Sequence, residues 1–168
     1  MANHPFLSKL KTAKAIALDV DGVLTDGSLI INEDGSELRA MNIRDGYAIQ
    51  LGVKKGIEFC VITGGNSEGV KIRLHKLGVQ TIFAGIENKK DVFLHWVQQK
   101  NLKAEEVIYM GDDMMDVEVM KLAGIKCCPA DACQEIIAVC EYVSPFNGGK
   151  GCVRDVIEKT LKLQGKWE

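Results

Sequence analysis

The sequence predicts an α/β protein built on a doubly wound, Rossmann-like parallel sheet with helices on both faces. Its 168 residues match the usual size of one domain, so residues 1–168 are expected to fold as a single unit. Hydrophobic residues make up 46% of the chain and charged residues 26%, as in ordinary globular proteins. Continuous apolar runs alternate with segments of helical spacing, and this alternation indicates βαβ units.

Each predicted strand is a short apolar run, as expected for a strand that is buried on both faces. The first run, AIALDV, closes on an aspartate. The predicted strands are 15–20, 57–62, 81–84, 107–110 and 125–128, and the predicted helices are 45–55, 67–77, 89–100 and 114–123. Sheets of this kind bind ligands beyond the carboxyl ends of their strands, so functional residues are expected there.

A β-hairpin is predicted between the first strand and the first helix, at about residues 27–43. The segments 28–32 and 37–43 flank Glu33-Asp34-Gly35, and Asp-Gly is a strong hairpin signal. An irregular surface loop is the alternative. The apolar side chains of this hairpin would either pack on their own domain or cover the site of a neighbouring subunit. They are Leu29, Ile30, Ile31 and Leu38.

Charge and hydropathy argue against several classes of function. Lys and Arg total 21 against 23 for Asp and Glu, a net charge of -2, so broad nucleic-acid binding is not expected. No apolar run approaches the ~18 residues that cross a bilayer, and the N-terminal residues lack the pattern of an export signal. We therefore expect a cytoplasmic protein without membrane contact. The six cysteines include no C-x-x-C pair and are predicted to stay reduced.

Polar side chains cluster where the predicted strands end. Asp19 and Asp21 stand two residues apart on an extended segment, so they point the same way and repel unless they share a proton or a cation. For this pair alone, a solvated acidic turn is the alternative. Thr63 and Gly64 end another strand, where a glycine lets the backbone approach an anion. The other candidates are Lys89 or Lys90 at a helix start, and Asp112, Asp113 (also a fitting helix cap) and Asp116 after the fourth strand.

Together these residues predict a magnesium-dependent site for phosphoryl transfer. Oxygen ligands without His or Cys favour Mg²⁺ over zinc, and Asp19 and Asp112 would hold the ion with the backbone carbonyl of Asp21. Asp19 would attack phosphorus and form an aspartyl-phosphate. Asp21 would protonate the leaving oxygen and then deprotonate the incoming water. Thr63 and Lys89 would bind the equatorial oxygens of the phosphoryl group.

The order of these motifs resembles the haloacid dehalogenase superfamily of phosphohydrolases. D-x-D-G-V-L-T-D, a strand-ending Thr-Gly, a lysine and G-D-D-x-x-D follow one another, and the likeness covers about residues 13–165. The resemblance implies Asp19 as the nucleophile and Asp21 as the general acid/base. It also implies Asp116 as an outer carboxylate that orients the waters of the metal or Lys89, and it favours Lys89 over Lys90.

Many members of this superfamily carry an inserted cap domain, for which this chain has no room. Only 23 residues lie between Asp21 and Asp45, and 25 lie between Thr63 and Lys89. The hairpin fills the first interval, and a helix and a strand fill the second. We therefore expect a capless enzyme.

Within the superfamily, the chain resembles the capless 3-deoxy-D-manno-octulosonate 8-phosphate phosphatases. The segment N-I-R-D-G-Y at 42–47 and the glycine-rich tail at about 147–168 carry this finer likeness. It implies removal of phosphate from an eight-carbon keto-sugar acid in lipopolysaccharide synthesis. It also implies homotetramers in which neighbouring subunits complete each active site. The stretch 148–151 would be either a mobile cover for the site or the entry to a helix.

The substrate of such an enzyme is a phosphorylated sugar acid, whose carboxylate a planar guanidinium pairs well with. Arg44 and Arg73 are the candidates for this contact, with an ordinary solvated helix charge as the alternative. Many relatives place arginine after Thr-Gly, where this chain has Gly65-Asn66. A nine-carbon sialic-type acid 9-phosphate is therefore the alternative substrate.

Two other classes of protein fit these residues less well than an enzyme of this kind. A signalling receiver domain carries its acidic pair and its phosphorylated aspartate in a different order along the chain. A non-catalytic regulatory or scaffold subunit would be marked by loss of a motif carboxylate, and all of them are present.

Overall fold

A computed structural model describes residues 5–168. Residues 1–4, on which part of the prediction of no export signal depends, lie outside the described residues. Six strands form the central sheet in the order β5-β4-β1-β6-β7-β8, and every neighbouring pair is parallel. The strands are β1 (Ala15–Leu18), β4 (Glu58–Ile62), β5 (Thr81–Phe83), β6 (Val107–Met110), β7 (Ile125–Cys128) and β8 (Tyr142–Val143).

Helices cover both faces of the sheet, and each face has its own hydrophobic core. Helices α1, α2, α3 and α7 pack on one face, and α4, α5 and α6 pack on the other. Successive residues of β1 alternate between the two cores, as the pleat of a strand requires. The helices are α1 (Pro5–Leu10), α2 (Ile43–Lys54), α3 (Glu68–Lys76), α4 (Lys89–Gln99), α5 (Val117–Met120), α6 (Gln134–Val139) and α7 (Cys152–Leu163). The predicted doubly wound α/β fold is confirmed.

A two-stranded hairpin leaves the sheet between β1 and α2, as predicted. Its strands are β2 (Ile30–Ile31) and β3 (Glu37–Leu38), shorter than the predicted segments, and they pair antiparallel. The turn is closed by a hydrogen bond from the Gly35 N–H to the carbonyl of Asn32. The connections described in residues 5–168 hold no cap domain, which confirms that expectation.

The apolar side chains of the hairpin point into solvent. Leu29, Ile30, Ile31 and Leu38 are 41–64% exposed. Of the two predicted roles, packing on their own domain is therefore not what the structure shows. Among the described residues, no helix has the length and apolar character needed to span a membrane.

Two helices and one strand were not predicted from the sequence, namely α1, α6 and β8, and α7 was implied only by the alternative that 148–151 is the entry to a helix. The largest difference concerns α7, which occupies most of the segment that we predicted as a glycine-rich tail. Gly148 and Gly149 form the entry to this helix, and the Gly149 N–H donates to the carbonyl of Val23 at 2.9 Å. Of the two predicted roles for this stretch, the structure shows the helix entry. All six cysteines are free.

The predicted helix over 114–123 is broken in the structure. Met114–Asp116 forms a 3₁₀ turn, and only Val117–Met120 is α-helical. The Asp116 carboxylate turns back and accepts from the Asp112 N–H at 3.1 Å, so this segment wraps around the end of β6. That backward turn places two predicted site residues beside each other.

Candidate active site

One cavity of about 390 Å³ lies at the carboxyl ends of β1, β4 and β6. Asp19 follows β1 directly, Thr63 follows β4, and Asp112 comes two residues after β6. Because parallel strands end at the same edge of a sheet, distant parts of the chain meet there. The predicted site residues that line this cavity are Asp19, Asp21, Thr63, Gly64, Lys89, Asp112, Asp113 and Asp116.

A buried lysine links two of the carboxylates. The Lys89 Nζ lies 2.7 Å from Asp19 Oδ2 and 2.8 Å from Asp116 Oδ1, and its side chain is only 2% exposed. The Tyr109 hydroxyl also donates to Asp116 Oδ1, at 2.7 Å. Burial opposes the ammonium charge, but the charges of Asp19 and Asp116 outweigh it and raise the pKa of Lys89. Lys89 is therefore a fixed cation.

Three carboxylates in this cavity have the arrangement of a metal site. One oxygen each from Asp19, Asp112 and Asp116 lies within 4.8 Å of the others. Burial, and then the charge of Asp116, raises the pKa of Asp19 to about 7 despite Lys89. Burial, and then the charges of Asp19, Asp116 and Asp113, raises the pKa of Asp112 to about 7. This clustered negative charge is what a divalent cation offsets.

The hydrogen bonds separate the inner carboxylates from the outer one. Both oxygens of Asp116 already accept hydrogen bonds, from Lys89 and Tyr109 on one side and from the Asp112 N–H on the other. Asp112 Oδ1, in contrast, is buried without a hydrogen-bond partner among residues 5–168. An orphaned carboxylate oxygen beside Asp19 fits Mg²⁺, which prefers hard oxygen ligands. The backbone carbonyl of Asp21 remains a predicted ligand.

A glycine makes room for the metal-binding carboxylate. Gly22 adopts a positive φ of 83°, a conformation that favours glycine. A Cβ atom at this position would lie 1.9 Å from Asp112 Oδ2. Any side chain here would therefore displace Asp112, which explains why D-x-D is followed by glycine.

The loop after β4 is held by the sheet and by its own threonine. The Thr63 N–H donates to the carbonyl of Phe83, and the Thr63 carbonyl accepts from the Ile86 N–H. The Gly65 N–H donates to Thr63 Oγ1 at 3.1 Å. This N–H, one of those that a glycine-rich loop was predicted to offer to an anion, is thus already used within the loop. Thr63 is buried and Gly64 is exposed at the cavity.

Sequence reasoning missed Arg39, which contacts the predicted acid/base. Its Nε and Nη2 lie 2.9 and 3.2 Å from the two oxygens of Asp21. Asp21 Oδ1 also accepts from the Thr25 hydroxyl at 3.3 Å. Arg39 directly follows β3, at the base of the hairpin. This position was the one feature of the sequence that could have indicated a contact with the site.

The two predicted sugar-binding arginines lie away from the carboxylates in this subunit. Arg44, near the start of α2, lines a second cavity of about 630 Å³ together with Phe146 and Arg154. Arg73 lies against α2: its Nη2 would be 2.7 Å from a Cβ atom on Gly46. Neither residue lines the carboxylate cavity, and their role in substrate binding stays a prediction.

Asp113 is exposed at the rim of the cavity. It occupies the N-cap position of the 3₁₀ turn, where its side chain accepts from the Met114 N–H at 2.8 Å. This is the capping contact that the sequence predicted for it.

Comparisons with known proteins agree with this fold and site. Residues 48–130 match the model of the haloacid dehalogenase-like hydrolase family. The 3-deoxy-D-manno-octulosonate 8-phosphate phosphatase KdsC of Escherichia coli K12 is 37% identical over 160 residues, which cover 95% of this chain and 85% of that protein. The Moraxella catarrhalis phosphatase of the same name was solved with magnesium ion, phosphate ion and KDO. It superposes with a TM-score of 0.95 at 32% identity, over 98% of this chain and 95% of its own.

A third relative carries a different metal. The deoxy-D-mannose-octulosonate 8-phosphate phosphatase of Haemophilus influenzae was solved in a cobalt-bound form. It matches with a TM-score of 0.91 and 31% identity, over 95% of this chain and 93% of its own.

The fold and the site define a haloacid dehalogenase-like hydrolase. More narrowly, the chain belongs to the family of the 3-deoxy-D-manno-octulosonate 8-phosphate phosphatases, given its identity to KdsC and its coverage of that protein. The predicted superfamily and the predicted enzyme class, a phosphoric monoester hydrolase, are both confirmed.

Proposed function

We propose that the protein hydrolyses 3-deoxy-D-manno-octulosonate 8-phosphate to the free sugar acid and inorganic phosphate, for lipopolysaccharide synthesis. The observation that carries this proposal is the cavity in which Asp19, Asp112 and Lys89 meet, on the fold of a phosphatase that holds KDO, phosphate and magnesium. The 37% identity to KdsC supports the same substrate.

Magnesium is the cofactor that the donor set fits, and the relative solved with this ion confirms the prediction. Asp19 and Asp112 would hold the ion, with Asp116 behind them. When bound, Mg²⁺ supplies positive charge that offsets the repulsion between a carboxylate nucleophile and a phosphate dianion.

The first displacement uses Asp19 as the nucleophile. An Asp19 oxygen bonds to phosphorus, the bond from phosphorus to the sugar oxygen breaks, and Asp21 gives that oxygen a proton. Lys89 and the Thr63 hydroxyl bind the phosphoryl oxygens, on which negative charge collects in the transition state. Lys89 serves this purpose because it is charged, buried and held between two carboxylates.

The second displacement frees the enzyme. A water oxygen bonds to the phosphorus of the aspartyl-phosphate, and its proton passes to Asp21. The bond from phosphorus to Asp19 then breaks, its electron pair returns to the carboxylate, and phosphate leaves. The site opens directly to solvent in the described chain, which suits a hydrolase because water is the second substrate.

The protein is further proposed to act in the cytoplasm, as one domain and as a homotetramer whose neighbouring subunits complete each site. The exposed apolar hairpin supports the assembly, since large apolar side chains on a projecting element are typical of interfaces. Its 41–64% exposure is what contact with another subunit would remove.

Phosphate release from eight-carbon and nine-carbon sugar acid phosphates tests the substrate. We expect kcat/KM to favour the eight-carbon ester by at least about tenfold, the low end of what a pocket achieves for one carbon. Asp19→Asn enzyme purified in parallel reports any contaminating phosphatase. Preference for the nine-carbon 9-phosphate would replace the substrate while leaving the enzyme class intact.

A further inference from the structure

Arg39 connects the hairpin to the predicted acid/base. Its guanidinium makes two parallel hydrogen bonds to Asp21, from Nε at 2.9 Å and from Nη2 at 3.2 Å. Paired contacts of this kind fix the orientation of a carboxylate. The Arg39 side chain is 7% exposed, whereas that of Asp21 is 36% exposed. The arginine is therefore the fixed partner, and the aspartate is the one that faces the cavity.

Two neighbours hold the guanidinium in this position. Glu37, on the same side of β3, lies 3.1 Å from Arg39 Nη2. Gly65 lies beside Arg39: a Cβ atom there would be in ordinary contact, 3.5 Å from Nη2 and 3.4 Å from Asp21 Oδ2. A longer side chain at position 65 would compete with Arg39 for the space beside Asp21. Arg39 thus lies against the backbone loop after Thr63.

The two oxygens of Asp21 differ in the number of hydrogen bonds that they accept. Oδ1 accepts from Arg39 Nε and from the Thr25 hydroxyl, which uses both of its lone pairs. Oδ2 accepts only from Arg39 Nη2 among the described residues, so one lone pair remains. Oδ2 is also the oxygen beside Gly65, since a Cβ atom on Gly65 would lie 3.4 Å from it, and both residues line the cavity. The arrangement singles out Oδ2 as the atom that exchanges a proton.

We propose that Arg39 is a positioning residue that holds Asp21 for the water-activating step. This inference depends on the proposed function, because it assigns a role within the second displacement. The paired contacts of the guanidinium fix the orientation of the Asp21 carboxylate, so that Oδ2 is the oxygen available to take a proton from water. Asp21 Oδ2 accepts that proton as the water oxygen bonds to phosphorus and the Asp19 oxygen departs with its electron pair. Without Arg39, the aspartyl-phosphate should therefore persist.

The test is pre-steady-state hydrolysis of p-nitrophenyl phosphate by the Arg39→Ala enzyme with Mg²⁺. Nitrophenolate leaves without a proton, so formation of the aspartyl-phosphate is largely independent of Asp21. We expect a burst of about one nitrophenolate per active site, followed by slow turnover. The steady-state kcat should fall about 10- to 100-fold, up to the low end of the ~10²–10⁴-fold that a positioned acid or base contributes. KM should fall with it, because the aspartyl-phosphate accumulates when its hydrolysis is the slow step. The kcat of Arg39→Lys should lie between those of the wild type and Arg39→Ala, because lysine keeps the positive charge but cannot make paired contacts.

The matched control is Arg154→Ala, which removes another arginine that pairs with a carboxylate, Glu158 at 3.1 Å. It should keep wild-type kinetics. Added guanidinium ion should restore part of the turnover of Arg39→Ala and leave Arg154→Ala unchanged. A general loss of structure would lower the burst and the steady-state rate together, and circular dichroism would report it.

Three results would overturn the inference: unchanged turnover, a rise in KM alone, or slow turnover without a burst. A rise in KM alone would mean that Arg39 contacts the substrate. The wild-type enzyme separates this inference from the proposed function. If it fails to release phosphate from the sugar acid ester, the proposed function fails. If it succeeds while Arg39→Ala shows no burst, only the role of Arg39 fails.

Discussion

Lys89 supplies the positive charge that partly offsets the negative charge of the site's carboxylates. Among residues 5–168 it is the one buried ammonium that contacts this cluster of three carboxylates, and it contacts two of them, Asp19 and Asp116. One positive charge against three carboxylates leaves an excess of negative charge in a buried place. Desolvation then raises the pKa of Asp19 and of Asp112 to about 7. A divalent cation bound here would neutralise this excess negative charge.

The nucleophile assignment gives the first prediction. Asp19→Asn should lower phosphate release by about 10³-fold or more, as loss of a nucleophile does in other enzymes. The fold should survive because asparagine has nearly the same shape and its side-chain oxygen can still accept from the Val20 N–H, now at 2.6 Å. Phosphate assays and thermal melting check this prediction. Unchanged turnover would reject Asp19 as the nucleophile.

The raised pKa values predict how pH and magnesium affect stability. Asp19 and Asp112 titrate near 7 in the folded chain and near 3.8 in the unfolded chain, so the folded state binds more protons between these values. The stability that these groups contribute is therefore greatest below about pH 4 and is lost as pH rises through 7. Melting of the metal-free protein should show this loss, and Mg²⁺ should stabilise the protein more at pH 8 than at pH 5.

The Asp112→Asn variant shows whether the effects of pH and Mg²⁺ on melting come from the carboxylate site, because it removes one of the predicted metal ligands. In the metal-free state it should melt above the wild type at pH 8, by about 2–4 °C for each kcal/mol gained in a domain of this size. It should also lose most of the Mg²⁺ effect. A wild type whose melting temperature ignores Mg²⁺ at pH 8 would contradict the metal site.

At the scale of elements, the ends of the strands carry most residues of the site, and helix α4 contributes Lys89 at its first position. Asp19, Thr63 and Asp112 were predictable because continuous apolar runs end beside them, and parallel strands end at one edge. The contact of Arg39 with Asp21 was not predictable in this way. It depends on where the end of the hairpin lies relative to the strand ends of the sheet, and the pairing of residues in β2 and β3 does not reveal this. Local sequence patterns therefore do not predict a contact, such as Arg39 with Asp21, that depends on tertiary structure.

Helix α7 shows the same limit for the fold. Its glycine-rich entry suggested a tail, yet α7 packs along α2 and buries apolar residues in one of the two cores. Asp45 ties the two helices together by accepting from the Arg154 N–H at 2.7 Å. A glycine cluster signals a change of direction, and the apolar face of the next segment decides whether that segment forms a packed helix.

This packing predicts that α7 contributes strongly to stability. Ile157 is fully buried, so Ile157→Ala should cost about 2–5 kcal/mol of unfolding free energy, the usual range for a truncated core residue. Lys162→Ala, on the exposed side of the same helix, should cost no more than about 1 kcal/mol. Urea unfolding compares the two. Equal midpoints would mean that residues 152–163 are a loose tail after all.

At the scale of the whole molecule, the hairpin is the element that the described chain leaves without a packing partner. Its apolar side chains are exposed, while Arg39, the residue that follows β3, contacts Asp21 of the active site. A second subunit on the hairpin would therefore bury apolar surface and steady Arg39 at the same time. Assembly and catalysis are expected to depend on each other through this one element.

Ile30→Asp tests that dependence, since it places a charge on a residue that is 64% exposed. We expect light scattering to find a tetramer for the wild type and a smaller species for Ile30→Asp, because burying an unpaired charge in an interface is unfavourable. Phosphate release per subunit should fall with the loss of assembly. Leu94→Asp, at an exposed apolar position on α4, is the matched control and should remain assembled. A monomeric wild type, or a fully active monomeric variant, would show that each subunit completes its own site.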